Sequence, residues 1–156
     1  RNLEPVLENQ HYESSNTAHP IRKYITLHDH TLQVMYRFDV KMQSLFCTEI
    51  NLAMPSCDGM GGRYIHQGHV PCGFGQCLQL KDLIEITLED DTLGGSIVLK
   101  TSAPVAFQAQ PHFSVSQSES GFEKIMQATT LLLEWPVTAQ ELIITLEIRS
   151  HSAPSI

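Results

Sequence analysis

The sequence predicts an all-β chain of antiparallel strands, arranged as a sandwich or barrel. Short strand-like segments recur at the roughly 8 to 12 residue spacing of such architectures. Their polarity alternates with a period of two, and no stretch of comparable length shows the 3.6-residue period of a helix. The chain has 156 residues, which fits one domain with a real core, since compact domains most often run to roughly 100 to 150 residues.

Taken in order, residues 1–20 pattern weakly and are expected to form an entrance or linker from an upstream domain. Lys23 to His28 is the first clear strand. His28-Asp29-His30-Thr31 is a polar link suited to a hairpin turn, with Asp29 able to bond its own backbone and both histidines in solvent. From Leu32 to Val40, Leu32, Val34, Tyr36 and Phe38 alternate with Gln33, Met35, Arg37 and Asp39. That alternation gives one buried and one wetter face.

Ser44 to Met54 is a third strand, ended by Pro55, which cannot donate to a ladder. Pro55 to Gln76 is rich in Gly and Pro and is expected to be the longest loop. Leu78 to Lys81 and Leu83 to Glu89 follow as two strands. In the second, Ile84, Ile86 and Leu88 share one face and Glu85, Thr87 and Glu89 the other. Asp90 to Gly95 reads as a turn in which Gly94 and Gly95 supply positive φ, and Ser96 to Thr101 returns as the hairpin partner.

Pro104 to Gln110 reads as a short strand stopped by Pro111. The stretch 124–134 suits helix or strand by period, and β-branched Ile125, Thr129 and Thr130 select strand. Leu142 to Arg149 is the closing strand. The domain is thus expected over residues 21–150, with a tail at 151–156.

Composition excludes several function classes. The net charge is −7 and the basic residues are scattered, so no basic stripe exists to neutralise a phosphate backbone, and nucleic acid is not an expected partner. No apolar run approaches the roughly 20 residues that cross a bilayer as a helix, so no membrane partner is expected. Four cysteines would permit disulfides outside the cell, but a domain of this size needs none, and reduced thiols in a cytoplasmic protein are the expectation.

The run Phe113-Ser114-Val115-Ser116-Gln117-Ser118-Glu119-Ser120-Gly121-Phe122-Glu123 places polar residues between aromatic ones and leads into Gln127 and Leu131-Leu132-Leu133-Glu134-Trp135-Pro136. This string resembles the C-terminal β-sandwich domain of glycoside hydrolase family 57, the α-amylase and 4-α-glucanotransferase group. Arg22-Lys23-Tyr24-Ile25, Leu32-Gln33-Val34-Met35-Tyr36 and Glu49-Ile50-Asn51-Leu52-Ala53 are similar to its strands, in the same order. The Cys- and Gly-rich stretch from Cys57 to Cys77 departs from the family pattern.

The resemblance implies a β-sandwich like the galactose-mutarotase supersandwich, placed after a (β/α)7 barrel that holds the catalytic carboxylates. On that reading the chain alone is not an enzyme, uses no cofactor and partners the upstream barrel of its own polypeptide. The parent would hydrolyse or transfer α-1,4-glucans. Phe107, Phe113 and Trp135 are candidates for an apolar patch against a neighbour, Trp135 serving equally as core.

The residues themselves leave three chemistries to weigh. Glu119 with Glu123, or Glu85 with Glu89, could be nominated as a glycosidase pair, which needs carboxyls about 5 Å apart; outward acids on a sheet are normally a solvated face, so no catalytic residue is assigned. Gln117, Glu119 and Glu123 could hydrogen-bond an α-glucan while Phe122 supplies an apolar face; the alternative is Phe122 in the core and Ser116 and Ser118 bonding backbone. Cys57, His66, His69, Cys72 and Cys77 include zinc-ligand types without a Cys-x2-Cys pair, so they are weak metal candidates. A stand-alone carbohydrate-binding module and a small metal protein centred on this loop are the rival functions.

Overall fold

The computed structural model describes residues 4–6, 11–16, 21–38, 44–54, 56, 59–118 and 121–151, with side chains from residue 21 onward except Ser118. Among them there is no helix, and the chain is an all-β antiparallel sandwich. Ten strands form: β1 (Glu4–Val6), β2 (His11–Asn16), β3 (Ile21–His28), β4 (Thr31–Phe38), β5 (Leu45–Leu52), β6 (Gly62–Ile65), β7 (Leu78–Asp90), β8 (Gly95–Ser118), β9 (Gly121–Pro136) and β10 (Glu141–Ser150).

Hydrogen bonding runs in the order β1-β2-β3-β4-β10-β8-β7-β6, while β9 pairs β8 and β5 pairs β9. The residues expected as an entrance segment therefore contribute two strands that extend the sheet beyond β3. Residues 152–156 of the expected tail lie outside the described residues.

One connected sheet becomes two layers because β7 and β8 belong to both. Near the turn, Glu85 to Asp90 pairs with Lys100 to Gly95 and β10 flanks β8 on its other side. Further on, Leu78 to Leu80 pairs with Ala109 to Phe107, and β9 has replaced β10. Between these stretches the register shifts twice, around Leu83. Three elements serve that corner: Asp82 adopts a left-handed φ of 54°, Thr101 Oγ1 donates to the Leu83 carbonyl at 3.1 Å, and Pro104 falls in the irregular stretch, where a missing N–H is tolerated.

The sequence expectation of two strands on each side of this corner is corrected: each pair is one long bent strand. Nor does Pro111 stop β8. It pairs with Thr129 beyond Ala109, where β7 has already ended, so a lost donor there costs no ladder bond on the β7 side.

Across the interior, β4 lies over β5 and β9, which it does not hydrogen-bond in the sheet. Tyr36 and Phe46 ring centroids are 4.7 Å apart, and Phe38 and Trp135 5.3 Å. Trp135 is thus a core residue, as is Phe107. Leu83, Leu88, Leu99, Leu131 and Leu142 are fully buried, each worth about 1.5–3 kcal/mol relative to exposure. Two tyrosine–threonine hydrogen bonds span the layers: Tyr36 Oη with Thr48 Oγ1 at 2.8 Å, and Tyr64 Oη with Thr129 Oγ1. Burial, the largest influence, pushes the Tyr64 phenol up to about 12.

The β7–β8 turn is held by Asp90, which is fully buried. Its carboxylate accepts from Ser56 Oγ at 2.6 Å, Thr92 N–H at 2.9 Å, and Ser56 and Leu93 N–H at 3.1 Å each. Gly94 has the expected positive φ of 60°. Gly95 does not: it is required by close approach, since a Cβ there would meet the Arg149 carbonyl oxygen at 2.7 Å.

Two substitutions test this framework. Tyr64→Phe removes the partner of fully buried Thr129 and should lower stability by about 1–3 kcal/mol in urea unfolding. For Asp90, burial alone would raise the carboxyl, but the hydrogen bonds outweigh it and hold the acid below its ordinary value. A depressed folded pKa gives stability that is present above the unfolded value and lost as pH falls through the folded one. Asp90→Asn should therefore cost about 1.5–3 kcal/mol at neutral pH, and the gap between the variant and the native chain should shrink as the urea midpoint is followed below the usual carboxylate range.

Candidate functional site

The stretch from Phe113 to Glu123 belongs to the outer part of a β8–β9 hairpin. β7 leaves β8 after Leu78↔Ala109, and β5 leaves β9 after Leu52↔Thr129. Beyond those points β8 and β9 pair only with each other, out to Ser118↔Gly121. The result is a two-stranded arm whose outer part, from residue 113 to the turn, is about 20 Å long at ~3.4 Å per residue. A bulge between His112 and Phe113 sets its direction, and Gln127 Nε2 donates to Ser114 Oγ at 3.0 Å beside it.

Because directly opposite residues share a face, Phe113, Val115 and Gln117 lie with Met126, Lys124 and Phe122 on one side of the arm. Ser114 and Ser116 lie with Ile125 and Glu123 on the other. At the base, Met126 is buried and Phe113 packs against the core. Lys124 Nζ sits 3.9 Å from the centroid of the Phe113 ring, covering it by a cation–π contact.

At the tip Phe122 is 79% exposed. The other Phe, Tyr and Trp side chains among the described residues are buried or half-buried. The alternative in which Phe122 packs in the core is thereby excluded. Of the four expected sugar-contact residues, Gln117 and Phe122 are brought together as direct opposites, Glu123 faces the other side with Ser116, and Glu119 lies outside the described residues. The apolar patch expected at Phe107, Phe113 and Trp135 is corrected: the first and last are core, and Val115, Phe122 and Ile125 are the exposed apolar residues of the arm.

The acidic pair on β7 has a structural account. Glu85 pairs with Lys100 at 3.2 Å. Glu89 pairs with Arg63, which also reaches Asp91 at 3.0 Å. These carboxylates on the outer face tie β6, β7 and β8 together.

The Cys and His loop is also ordered in a way the sequence reading missed. It contains β6, and its chain returns along that strand, with Tyr64 N–H donating to the Cys72 carbonyl and Phe74 N–H to Gly62. His66 and His69 exchange backbone hydrogen bonds at 2.9 and 3.0 Å across Gln67-Gly68, both at positive φ. This is the turn geometry that favours glycine, so the Gln67-Gly68 dipeptide was the legible signal. His66 Nδ1 lies 3.1 Å from the Glu85 carbonyl, and Cys72 is buried.

Burial raises the thiols of both Cys72 and Cys47, opposite to what a metal-binding thiolate needs. Among the described residues no three His, Cys, Asp or Glu side chains are placed to hold a metal ion. Cys57 lies outside them. The metal-centred alternative is accordingly set aside.

A family model described as alpha-amylase/4-alpha-glucanotransferase, C-terminal, matches residues 8–148. Among solved structures, the crystal structure of 4-alpha-glucanotransferase from Thermococcus litoralis superposes with a TM-score of 0.61 at 19% identity, covering 96% of this chain and 22% of that chain. At this identity the likeness is one of fold. No curated protein sequence matches the chain. Among the described residues no helix is long and apolar enough to cross a membrane.

The arm's isolation has a measurable consequence. A lone two-stranded ribbon is marginal in water, so in the 156-residue chain the amides of residues 113–125 should exchange at least about 100-fold faster than those of 97–109, read by hydrogen exchange with peptide mass analysis.

Proposed function

Because the chain belongs to the family of α-amylase/4-α-glucanotransferase C-terminal domains, we propose that it is the non-catalytic β-sandwich of such an enzyme. The parent is of the glycoside hydrolase family 57 type, acts on α-1,4-glucans and carries its catalytic carboxylates on an upstream barrel. The ion-paired state of Glu85 and Glu89 supports the non-catalytic reading, since both are engaged with cations of the sheet. Free thiols at Cys47, Cys72 and Cys77 support a reducing, cytoplasmic setting.

The observation that carries a glucan role is the exposed Phe122 ring with Gln117 directly opposite on the same face. A pyranose presents an apolar face that stacks on an aromatic ring and hydroxyls that pair with an amide. Fixed near the barrel's cleft, the arm tip would hold a distal part of a glucan chain. Glu119 and Glu123 are the further sugar-contact candidates. The same observation favours a second reading, in which the domain binds α-glucan by itself as a carbohydrate-binding module.

In the parent enzyme Phe122→Ala should raise KM for long α-glucans about 5- to 10-fold, or ~1–1.4 kcal/mol. kcat should stay within about twofold, as loss of uniform binding requires. An unchanged KM would remove the arm from the substrate path. Isothermal titration of the isolated chain with maltoheptaose separates the two readings: heat of binding supports the module, and silence supports a contact completed by the barrel. The isolated chain should release no sugar from amylose.

A further inference from the structure

The two layers are unequal, and the inequality falls at one place. β4 is covered by β5 and β9 through the Tyr36–Phe46 and Phe38–Trp135 contacts. One strand outward in the same layer is β3, whose Ile25, Lys23 and Ile21 lie opposite Val34, Tyr36 and Phe38 and so share their inward face. One strand outward from β5 in the facing layer there is no further strand among the described residues. Ile21 and Ile25 are consequently only half-buried and Leu27 is 47% exposed, whereas Phe38, on the covered neighbour, is 3% exposed.

β5 shows the same deficit from its own side. Phe46, Ile50 and Leu52 point inward yet are half-buried, while their opposites on β9, Trp135, Leu131 and Thr129, are fully covered. The eight residues of β5 pair with β9 in one unbroken register, and they contain one charge and no proline. Edge strands that stay solvent-exposed are normally shortened, bulged or protected by lysine or proline, and β5 carries none of these. At its start, exposed Leu45 joins Ser44, Pro136, Val137 and Thr138 in an open, mostly apolar groove at the end of the β5–β9 pair.

We infer that a further β-strand pairs with the open edge of β5 and lies across the inward face of β3, and that it is supplied by the part of the parent polypeptide outside this chain. The inference rests on reading the chain as part of a longer enzyme, in keeping with its covering 22% of the similar solved one. A tethered strand meets β5 at the high effective concentration of an intramolecular contact, whereas a second copy must bind from solution. The chemistry of the strand follows from what it covers. Alternate residues are apolar, to close over Ile21, Ile25 and Leu27, and one acceptor side chain meets Lys23, whose ammonium now lies 5.5 Å from the Tyr36 ring centroid.

Hydrogen exchange of the full-length parent and of the 156-residue chain tests this. In the parent, every second amide of β5, those directed away from β9, should be protected at least about 100-fold more than in the chain alone. Leu27→Cys should react with a maleimide at least about 10-fold more slowly in the parent, while Leu93→Cys in the exposed β7–β8 turn reacts alike in both. Free exchange of those β5 amides in a folded, glucan-active parent overturns the inference while leaving the proposed function standing. Concentration-dependent dimerisation of the isolated chain that protects β5 also overturns it, by assigning the edge to a second copy.

Discussion

Everything in this domain depends on the corner at which β7 and β8 pass from one layer to the other. A straight ladder through these strands would leave β9 and β5 in the same plane as β10 and β4, with the apolar faces of both in water. The register shifts around Leu83 bend the pair instead, and Thr101, almost fully buried, places its hydroxyl on the Leu83 carbonyl in the irregular stretch. A buried carbonyl without a donor would cost about 1–3 kcal/mol. Thr101 removes that cost, and the bend lets two half-sheets bury each other's side chains.

Once the sheet is folded over, the two tyrosine–threonine hydrogen bonds fix how the halves sit. Tyr36 to Thr48 ties β4 to β5, and Tyr64 to Thr129 ties β6 to β9. Both cross a largely apolar interior, where dispersion has no direction and a hydrogen bond does. Placed at opposite sides of the sandwich, they specify the lateral register that hydrophobic packing alone leaves loosely set.

The same corner makes the layers unequal, and what protrudes or stays open is where function belongs. β8 and β9 outrun both neighbours and become an arm with Phe122 at its end. β5 becomes an edge facing an uncovered part of β3. A scaffold that buries or half-buries its other described Phe, Tyr and Trp side chains, yet leaves one at the tip of an arm, places that ring where a larger assembly or an extended ligand can meet it.

The sequence by itself determined the strands, because the period-two alternation at Leu32 to Phe38 and Ile86 to Leu88 is a local consequence of a one-sided core. Ile84, expected on the face of Ile86 and Leu88, is instead exposed, because the register shifts between Leu83 and Glu85 break the alternation there. It also marked the tight turns at Asp29 and Gly94, whose left-handed φ values suit their residue types, and the Ser116 to Glu123 run carried the family. Only the tertiary structure decided that strands interrupted at Asp82, Pro104 and Pro111 are continuous, since whether a proline breaks a strand depends on whether a neighbour needs its N–H. It alone decided that the Cys and His loop is a strand with a tight return and that Phe122 is exposed while Phe107 and Trp135 are not. Alternation states which residues share a face, and only the folding of β7 and β8 across the layers states which faces meet.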